Sequence, residues 1–364
     1  MDTDLRDGLE ELFRGDLADA LRRLGERPIG AGAAGATLDP AEASARAQVW
    51  QVLSELGVLG LTIEGRWSAA VEVCQSMGFA LYRSPFQDTA TAAAMLAASG
   101  RDPLGLLPRI AEGRCTVAIA SRESAMAGPN EMPPMRIGSG ARTVSATRRF
   151  VAFAGEVDYL LLVGRTAERP CLGFVERGQS AVSSRRQDDI SRGDFYAVSF
   201  VEAAVPEGGW LGGSPMWTSA LVGARLLHGA YLVGLARGAL ALTVQYVKQR
   251  SAFGKPVGTF QAPAFRLAAL HARVCAVDEL VRWGASEAEG GNDATLTALR
   301  AVALAGDLAR DATAEAVQLH GAYGMTEQCD AQRFYRCAAT DALWLGSPTA
   351  SRAELAHHLA TAPC

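Results

Sequence analysis

A chain of 364 residues that is 49% hydrophobic and 20% charged has the apolar material for a large core and the length for two or three domains. Its net charge of -4 and pI near 5.8 give no basic field, which excludes recognition of a nucleic-acid backbone. The seven cysteines (Cys74, Cys115, Cys171, Cys275, Cys329, Cys337 and Cys364) form no CxxC pair. Reduced thiols are therefore expected, with neither a disulfide framework nor a metal site.

Met1–Arg14 carries Asp2, Asp4, Asp7, Glu10 and Glu11, unlike the basic start and apolar run of a signal peptide. No apolar stretch reads as long and charge-free enough to span a bilayer, so a cytoplasmic protein without membrane association is expected. Leu5–Leu24 places Leu9, Leu12, Phe13, Leu17 and Leu21 at helical spacing, and Gly30–Gly35 follows as a small-residue linker. Ala41–Leu59, Ser68–Leu81 and Thr89–Ser99 continue as amphipathic helices. From Cys115 the pattern changes to short runs rich in Val, Thr, Phe and Tyr: Thr116–Ser121, Thr143–Phe153, Asp158–Val163, Cys171–Val175 and Phe195–Glu202. After Pro206 the strands stop. Trp217–Arg250 reads as a long helix broken by a turn at Gly254–Pro256, followed by helices over Phe260–Ser286, Thr295–His320 and Cys329–Leu343. His357 and His358 read as part of a solvated tail. The fold class is α+β: an N-terminal helical domain over 1–113, a β-barrel-like domain over 114–206, and a C-terminal four-helix bundle over 207–364.

Two motifs narrow the reading. Tyr246–Gln261, "YVKQRSAFGKPVGTFQ", resembles the acyl-CoA dehydrogenase signature in which a helix ends in Arg-x-x-Phe-Gly and restarts at Phe-Gln. Ala316–Arg336, "AVQLHGAYGMTEQCDAQRFYR", resembles that family's second signature, Gln-x-His-Gly-Gly-x-Gly. The resemblance covers nearly the whole chain and implies the acyl-CoA dehydrogenase fold. It also implies FAD bound between the β domain and the bundle, with the adenine half across a subunit interface. Arg250 ends a helix, where a guanidinium can bridge a pyrophosphate. Gly321, Ala322 and Gly324 let backbone amides approach a dinucleotide, and Gln318 supplies an amide beside them. The plain structural alternative is that Arg250 caps a helix and the glycines form a turn. Phe253 is a further cofactor candidate, although it and Phe260, beside a helix break, also read as core. In the β domain the resemblance implies flavin contacts at Glu123, within Ala120–Ser124, and at Phe153, followed by Ala154 and Gly155. Arg122 and Ser124 depart there from the family's Thr-Glu-Pro.

The resemblance also exposes a gap. An acyl-CoA dehydrogenase needs a carboxylate to take the α proton as hydride leaves the β carbon. Leu345 stands where the family has its Glu, followed by Gly346 and Ser347, the latter a candidate cofactor contact. The alternate base position falls on Ala224, beside Arg225, a candidate substrate residue. A lost general base costs about 10²–10⁴-fold in rate. His228, Asp341 and Tyr323 are the available substitutes, with His228 favoured because its ordinary pKa suits proton transfer near neutrality. Thr62–Trp67 is shorter than the family's glycine-rich loop, so the substrate mouth differs. The leading expectation is one subunit of a hetero-oligomeric acyl-CoA dehydrogenase, of the kind that shortens sterol side chains. Its Glu-bearing partner would supply the base, an acyl-CoA would be the substrate, and an electron-transfer protein the acceptor. The alternatives are a natural-product-pathway enzyme acting on an acyl-carrier thioester, as a homo-oligomer with altered chemistry, and a non-catalytic scaffold.

Overall fold

The computed structural model describes residues 3–14, 40–124, 127–167, 169–191 and 193–361. Leu17, Leu21, the Gly30–Gly35 linker and Cys364 lie outside the described residues. Ten α-helices and nine strands are described. The first five helices are α1 (Thr3–Arg14), α2 (Pro40–Glu55), α3 (Trp67–Phe79), α4 (Phe86–Ser99) and α5 (Leu106–Ala111). The α5 helix, short and without a clear apolar period, was not expected. Asp102 starts it, accepting from the N–H groups of Leu106 and Leu107 at 2.7 and 2.9 Å, as a side chain at a helix start does.

Contacts divide the chain into two compact units, each built from separated segments. One gathers Met1–Arg22, Val71–Arg83 and Arg225–Cys364; the other gathers Arg23–Ala70 and Ser84–Ala224. The second unit holds the two larger sheets. β1 (Val117–Ala120), β4 (Tyr159–Arg165) and β5 (Pro170–Glu176) form one sheet, with β1 parallel and β5 antiparallel to the central β4. Burial of Leu160, Leu161, Leu162 and Val163 explains why β4 reads as a continuous apolar run rather than an alternation. β2 (Arg136–Ile137), β3 (Thr143–Ala152), β7 (Phe195–Ala204) and β6 (Val182–Arg186) form an antiparallel sheet in that order. β2 is two residues long, and β6, "VSSRR", is polar and half exposed. Neither carries the apolar signal by which the other strands were read.

The first unit is helical: α6 (Ser214–Gln249, entering this unit at Arg225), α7 (Gln261–Glu289), α8 (Thr295–His320), α9 (Asp330–Asp341) and α10 (Pro348–Thr361). Buried Ala298, Ala301, Ala305, Ala309, Ala312 and Ala316 run along α8 at three- and four-residue spacing, and α7, α9 and α10 all pack on it. The segment Val71–Arg83 lies against α6 through glycines. A Cβ at Gly78 would come 2.0 Å from Tyr231 O, and one at Gly234 2.1 Å from Gln75 O, so only glycine permits this approach. α10 adds a fifth helix to the expected four. It also corrects the reading of His357 and His358, which lie on this helix and not in a tail. α6 passes by length and composition as a membrane span, contrary to the expectation that no stretch would. Its apolar window has a mean hydropathy of 1.3, but 78% of that window is buried within the protein, as in a core helix.

Candidate functional site

The two signatures meet at one end of the helical unit. α6 ends at Gln249, and the Arg250 N–H donates to Tyr246 O at 2.8 Å. β8 (Ser251–Ala252) and β9 (Lys255–Pro256) then pair around Phe253 and Gly254, with φ values of 53° and 79°. A two-residue hairpin with both central residues left-handed requires this; Gly254 adopts it without penalty, whereas Phe253 is held there against its preference. The Val257 N–H closes the loop onto Arg250 O at 2.8 Å. Phe253 is 97% exposed, so it is not core; its ring meets Phe260 edge-on at 6.3 Å. Arg250 is exposed, and its guanidinium makes no hydrogen bond or ion pair among the described residues.

At the end of α8, Gly321 takes φ 63° and ψ −145°, a region that a side chain disfavours. The 3₁₀ turn Gly321–Met325 follows. A Cβ at Gly324 would come 2.7 Å from Val317 O, so this glycine lets the turn fold onto its own helix. Gln318, Gly321, Ala322 and Tyr323 are exposed. Gln318 also lines a shallow groove of about 760 Å³ between α7 and α8, beside Arg266, Arg273, Asp311 and Glu315. Tyr246 joins the two signatures. Its ring stacks on His320 at 4.2 Å and lies 6.2 Å from Tyr323, and its hydroxyl donates to His320 O at 3.4 Å. Sequence reasoning passed over Tyr246, although it opens the first motif.

The residues expected to do chemistry are placed otherwise. Arg225, read as a substrate residue, is 1% exposed and pairs with Glu354 at 2.6 Å. His228, the favoured substitute base, is 2% exposed; its Nε2 lies 2.8 Å from Asp341 O and its ring packs on Trp344 and Tyr231. Asp341 is fully buried, accepting from Arg83 Nη2 and the Tyr231 hydroxyl, each at 2.9 Å. Ser347 accepts from the Ala350 N–H at 3.1 Å and so starts α10. Each of these four has a partner within the protein. Tyr323 is exposed, with its hydroxyl donating to Gln328 O at 3.3 Å. Ala224 is buried and Leu345 half-buried.

The flavin-contact candidates of the β unit also divide. Glu123 remains 43% exposed at its side chain and accepts from Arg148 Nη1 at 3.1 Å. Arg148 is wholly buried, and its guanidinium also donates to the carbonyls of Pro133, Pro134, Thr147 and Val163. Burial pushes its pKa down to about 10, and Glu123 opposes that shift. Phe153, expected to cover a flavin ring, is instead 1% exposed. Its N–H donates to Asp194 O at 2.7 Å, and the Arg46 guanidinium lies over its ring at 5.9 Å while pairing with Glu156 and Asp194. Arg148 and Arg46 gave no sequence signal, because an arginine in a strand or helix reads as solvated until its partners are known.

Residues 212–360 match the family described as acyl-CoA dehydrogenase, C-terminal domain. The fold agrees over the whole chain. Glutaryl-CoA dehydrogenase from Mycobacterium smegmatis, solved in complex with FADH2, superposes with a TM-score of 0.82 at 16% identity, covering 100% of this chain and 96% of that one. The chain has the acyl-CoA dehydrogenase fold. A chain of a second structure with this fold, the ChsE4-ChsE5 complex from Mycobacterium tuberculosis, superposes with a TM-score of 0.79 at 20% identity, covering 96% of this chain and 99% of that chain. In sequence, the short-chain-specific acyl-CoA dehydrogenase of Megasphaera elsdenii is 29% identical over 220 residues, a match spanning 57% of this chain and 57% of that relative. FAD is the cofactor of acyl-CoA dehydrogenases.

Proposed function

We propose that this chain is the subunit of a two-chain acyl-CoA dehydrogenase that grips FAD while its partner supplies the catalytic carboxylate. The observation that carries the reading is a division of labour among the residues. Arg250, Phe253, Gln318, Gly321 and Ala322 stand exposed on the two signatures that Tyr246 joins. The positions for chemistry hold Leu345 and Ala224, and the neighbouring Arg225, His228, Asp341 and Ser347 are committed internally.

The exposed residues fit a dinucleotide. Arg250 offers a forked donor set to a pyrophosphate. Gln318 offers an amide, and Gly321 an open backbone conformation into which nothing within 4 Å of a Cβ intrudes. Bound FAD supplies the acceptor for a hydride from the β carbon of an acyl thioester. This chain's contribution is to hold the dinucleotide. The α proton falls to a glutamate of the partner, because no carboxylate stands at either family position here. The substrate in this reading is an acyl-CoA or acyl-carrier thioester, with sterol side chains the class such pairs shorten, and the electron acceptor would be an electron-transfer protein. Support for a two-chain assembly comes from the likeness to the ChsE4-ChsE5 complex. The burial of His228 weighs against a self-sufficient enzyme using it as base.

The test is a visible absorbance spectrum of the chain purified alone and then with a Glu-bearing acyl-CoA dehydrogenase encoded nearby. Flavin retained only in the co-purified sample is the expected result. Oxidation of an acyl-CoA at an ordinary rate by this chain alone would overturn the reading. A colourless protein in both samples would favour a scaffold.

A further inference from the structure

The residues proposed to grip FAD stand at the ends of two different helices, α6 and α8. The backbones of these helices approach closely at Gly229, where a Cβ would come 3.6 Å from Val302 N. Tyr246 lies about 25 Å further along α6, at 1.5 Å per residue, and there a side chain bridges the two. On its own helix Tyr246 stands one turn before Arg250, whose N–H donates to Tyr246 O at 2.8 Å. The chain after the Arg250 hairpin folds back on the same turn: a Cβ at Gly258 would come 3.1 Å from Val247 Cγ2, and Val247 is buried. On the α8 side, the Tyr246 ring stacks on His320 with centroids 4.2 Å and planes 25° apart, and it runs nearly parallel to Tyr323 at 6.2 Å and 19°. His320 and Tyr323 bracket Gly321 and Ala322. His320 is itself fixed. It is 4% exposed, its Nδ1 lies 2.7 Å from Ala316 O, and a Cβ at Gly324 would come 2.8 Å from its Cβ. The hairpin is thus pinned to α6 and the glycine turn to α8, and the Tyr246 ring ties one to the other.

We infer that Tyr246 is a positioning residue for the dinucleotide site, setting the distance between the Arg250 guanidinium and the backbone turn at Gly321 so that both hold one FAD. The inference rests on the FAD reading above and adds a residue that acts through Arg250 and Gly321, not by a contact of its own. Forked guanidinium bonds to a pyrophosphate are directional, and a site is held to its productive geometry by the residues behind it. The Tyr246 hydroxyl donates to His320 O at 3.4 Å, long for an O–H···O bond, so the stacked ring carries the tie.

The experiment titrates FAD, followed by its fluorescence, into the flavin-stripped assembly of this chain with its Glu-bearing partner. It compares the native protein, Tyr246→Phe, Tyr246→Leu, Arg250→Ala and the double variant Tyr246→Leu with Arg250→Ala. Amide hydrogen exchange is measured on the chain alone. Tyr246→Phe is expected to bind within about twofold of native, and Tyr246→Leu about tenfold more weakly, the range an aromatic pair is worth. The double variant should bind no more than about twofold more weakly than Arg250→Ala, because without the guanidinium there is no distance left to set. In the chain alone, Tyr246→Leu should speed exchange across Gly321–Met325 and leave the protection of β4 unchanged, which separates local loosening from unfolding. Losses that add in the double variant, native affinity in Tyr246→Leu, an equal loss in Tyr246→Phe, or unchanged exchange at the turn would each overturn the inference and leave the FAD reading standing. A native assembly that takes up no FAD would overturn both.

Discussion

Arg225 on α6 donates to Glu354 on α10 across 2.6 Å, with Arg225 almost wholly enclosed. Burial pushes the guanidinium's pKa down and the Glu354 carboxylate opposes the shift, so the pair holds together as ions. Glu354→Gln strands a buried cation and is expected to cost about 3 kcal/mol of stability, read as a lower urea midpoint at unchanged m-value. Arg225→Met with Glu354→Leu should recover most of that loss in a double-mutant cycle. If Glu354→Gln leaves the midpoint where it was, Arg225 has another partner and its assignment as internal structure is wrong.

Arg250 offers the opposite case. Its side chain is exposed and makes no hydrogen bond or ion pair among the described residues, so Arg250→Ala should shift the stability of the chain alone by less than about 0.5 kcal/mol. In the co-purified complex the same change should lower retained flavin by about tenfold or more, and Arg250→Lys should restore only part of it, because an ammonium cannot make the forked contact. Flavin content comes from absorbance after gel filtration. Full retention by Arg250→Ala would remove the residue from the FAD site.

Asp88, in the first turn of α4, is buried, and that burial raises its pKa to about 7; the Ile119 N–H and the Arg122 charge pull the other way. The folded state therefore binds a proton that the unfolded state releases near pH 4. The stability this contributes is present in full below pH 4 and is lost as pH rises through 7. Thermal midpoints should fall between pH 5 and 8 more steeply in the native protein than in Asp88→Asn, which keeps an acceptor for Ile119. Parallel curves for the two proteins would show that Asp88 is ionised throughout.

Leu345→Glu returns a carboxylate to the family's position. On the two-chain reading it should not convert the isolated chain into a dehydrogenase, because the chain alone does not retain flavin. Steady-state oxidation of an acyl-CoA with an artificial electron acceptor measures this. Turnover at ordinary dehydrogenase rates would mean that only the glutamate was missing.

The long helices were legible because their apolar residues keep a helical period over many turns: Thr295–His320 was read to the residue. The buried strands were legible for their β-branched and apolar runs. What escaped were elements without a clear apolar period: α5 and α10, each started by a side chain close by, Asp102 and Ser347, and β6, held by pairing with β7. The site divided in the same way. Arg250 and Gly321 sit in motifs whose spacing shows in the sequence, and both are exposed. The commitments of Arg225, His228 and Phe153 depend on Glu354, Asp341 and Arg46, which lie far away in sequence, and no local pattern shows which neighbour a side chain will meet.

The hairpin that lifts Phe253 into solvent bears on how the protein is made and kept. A ring almost wholly wetted, on a backbone held in a conformation phenylalanine disfavours, gives the solitary chain no return. On the two-chain reading the return comes when the partner covers it, so stability of the covered form rises with partner concentration. On the two-chain reading, copies made in excess of the partner keep an adhesive tip in water and fall to aggregation or proteolysis. The abundance of each chain is then set by the scarcer one, and balanced synthesis becomes a requirement written into two residues of a turn.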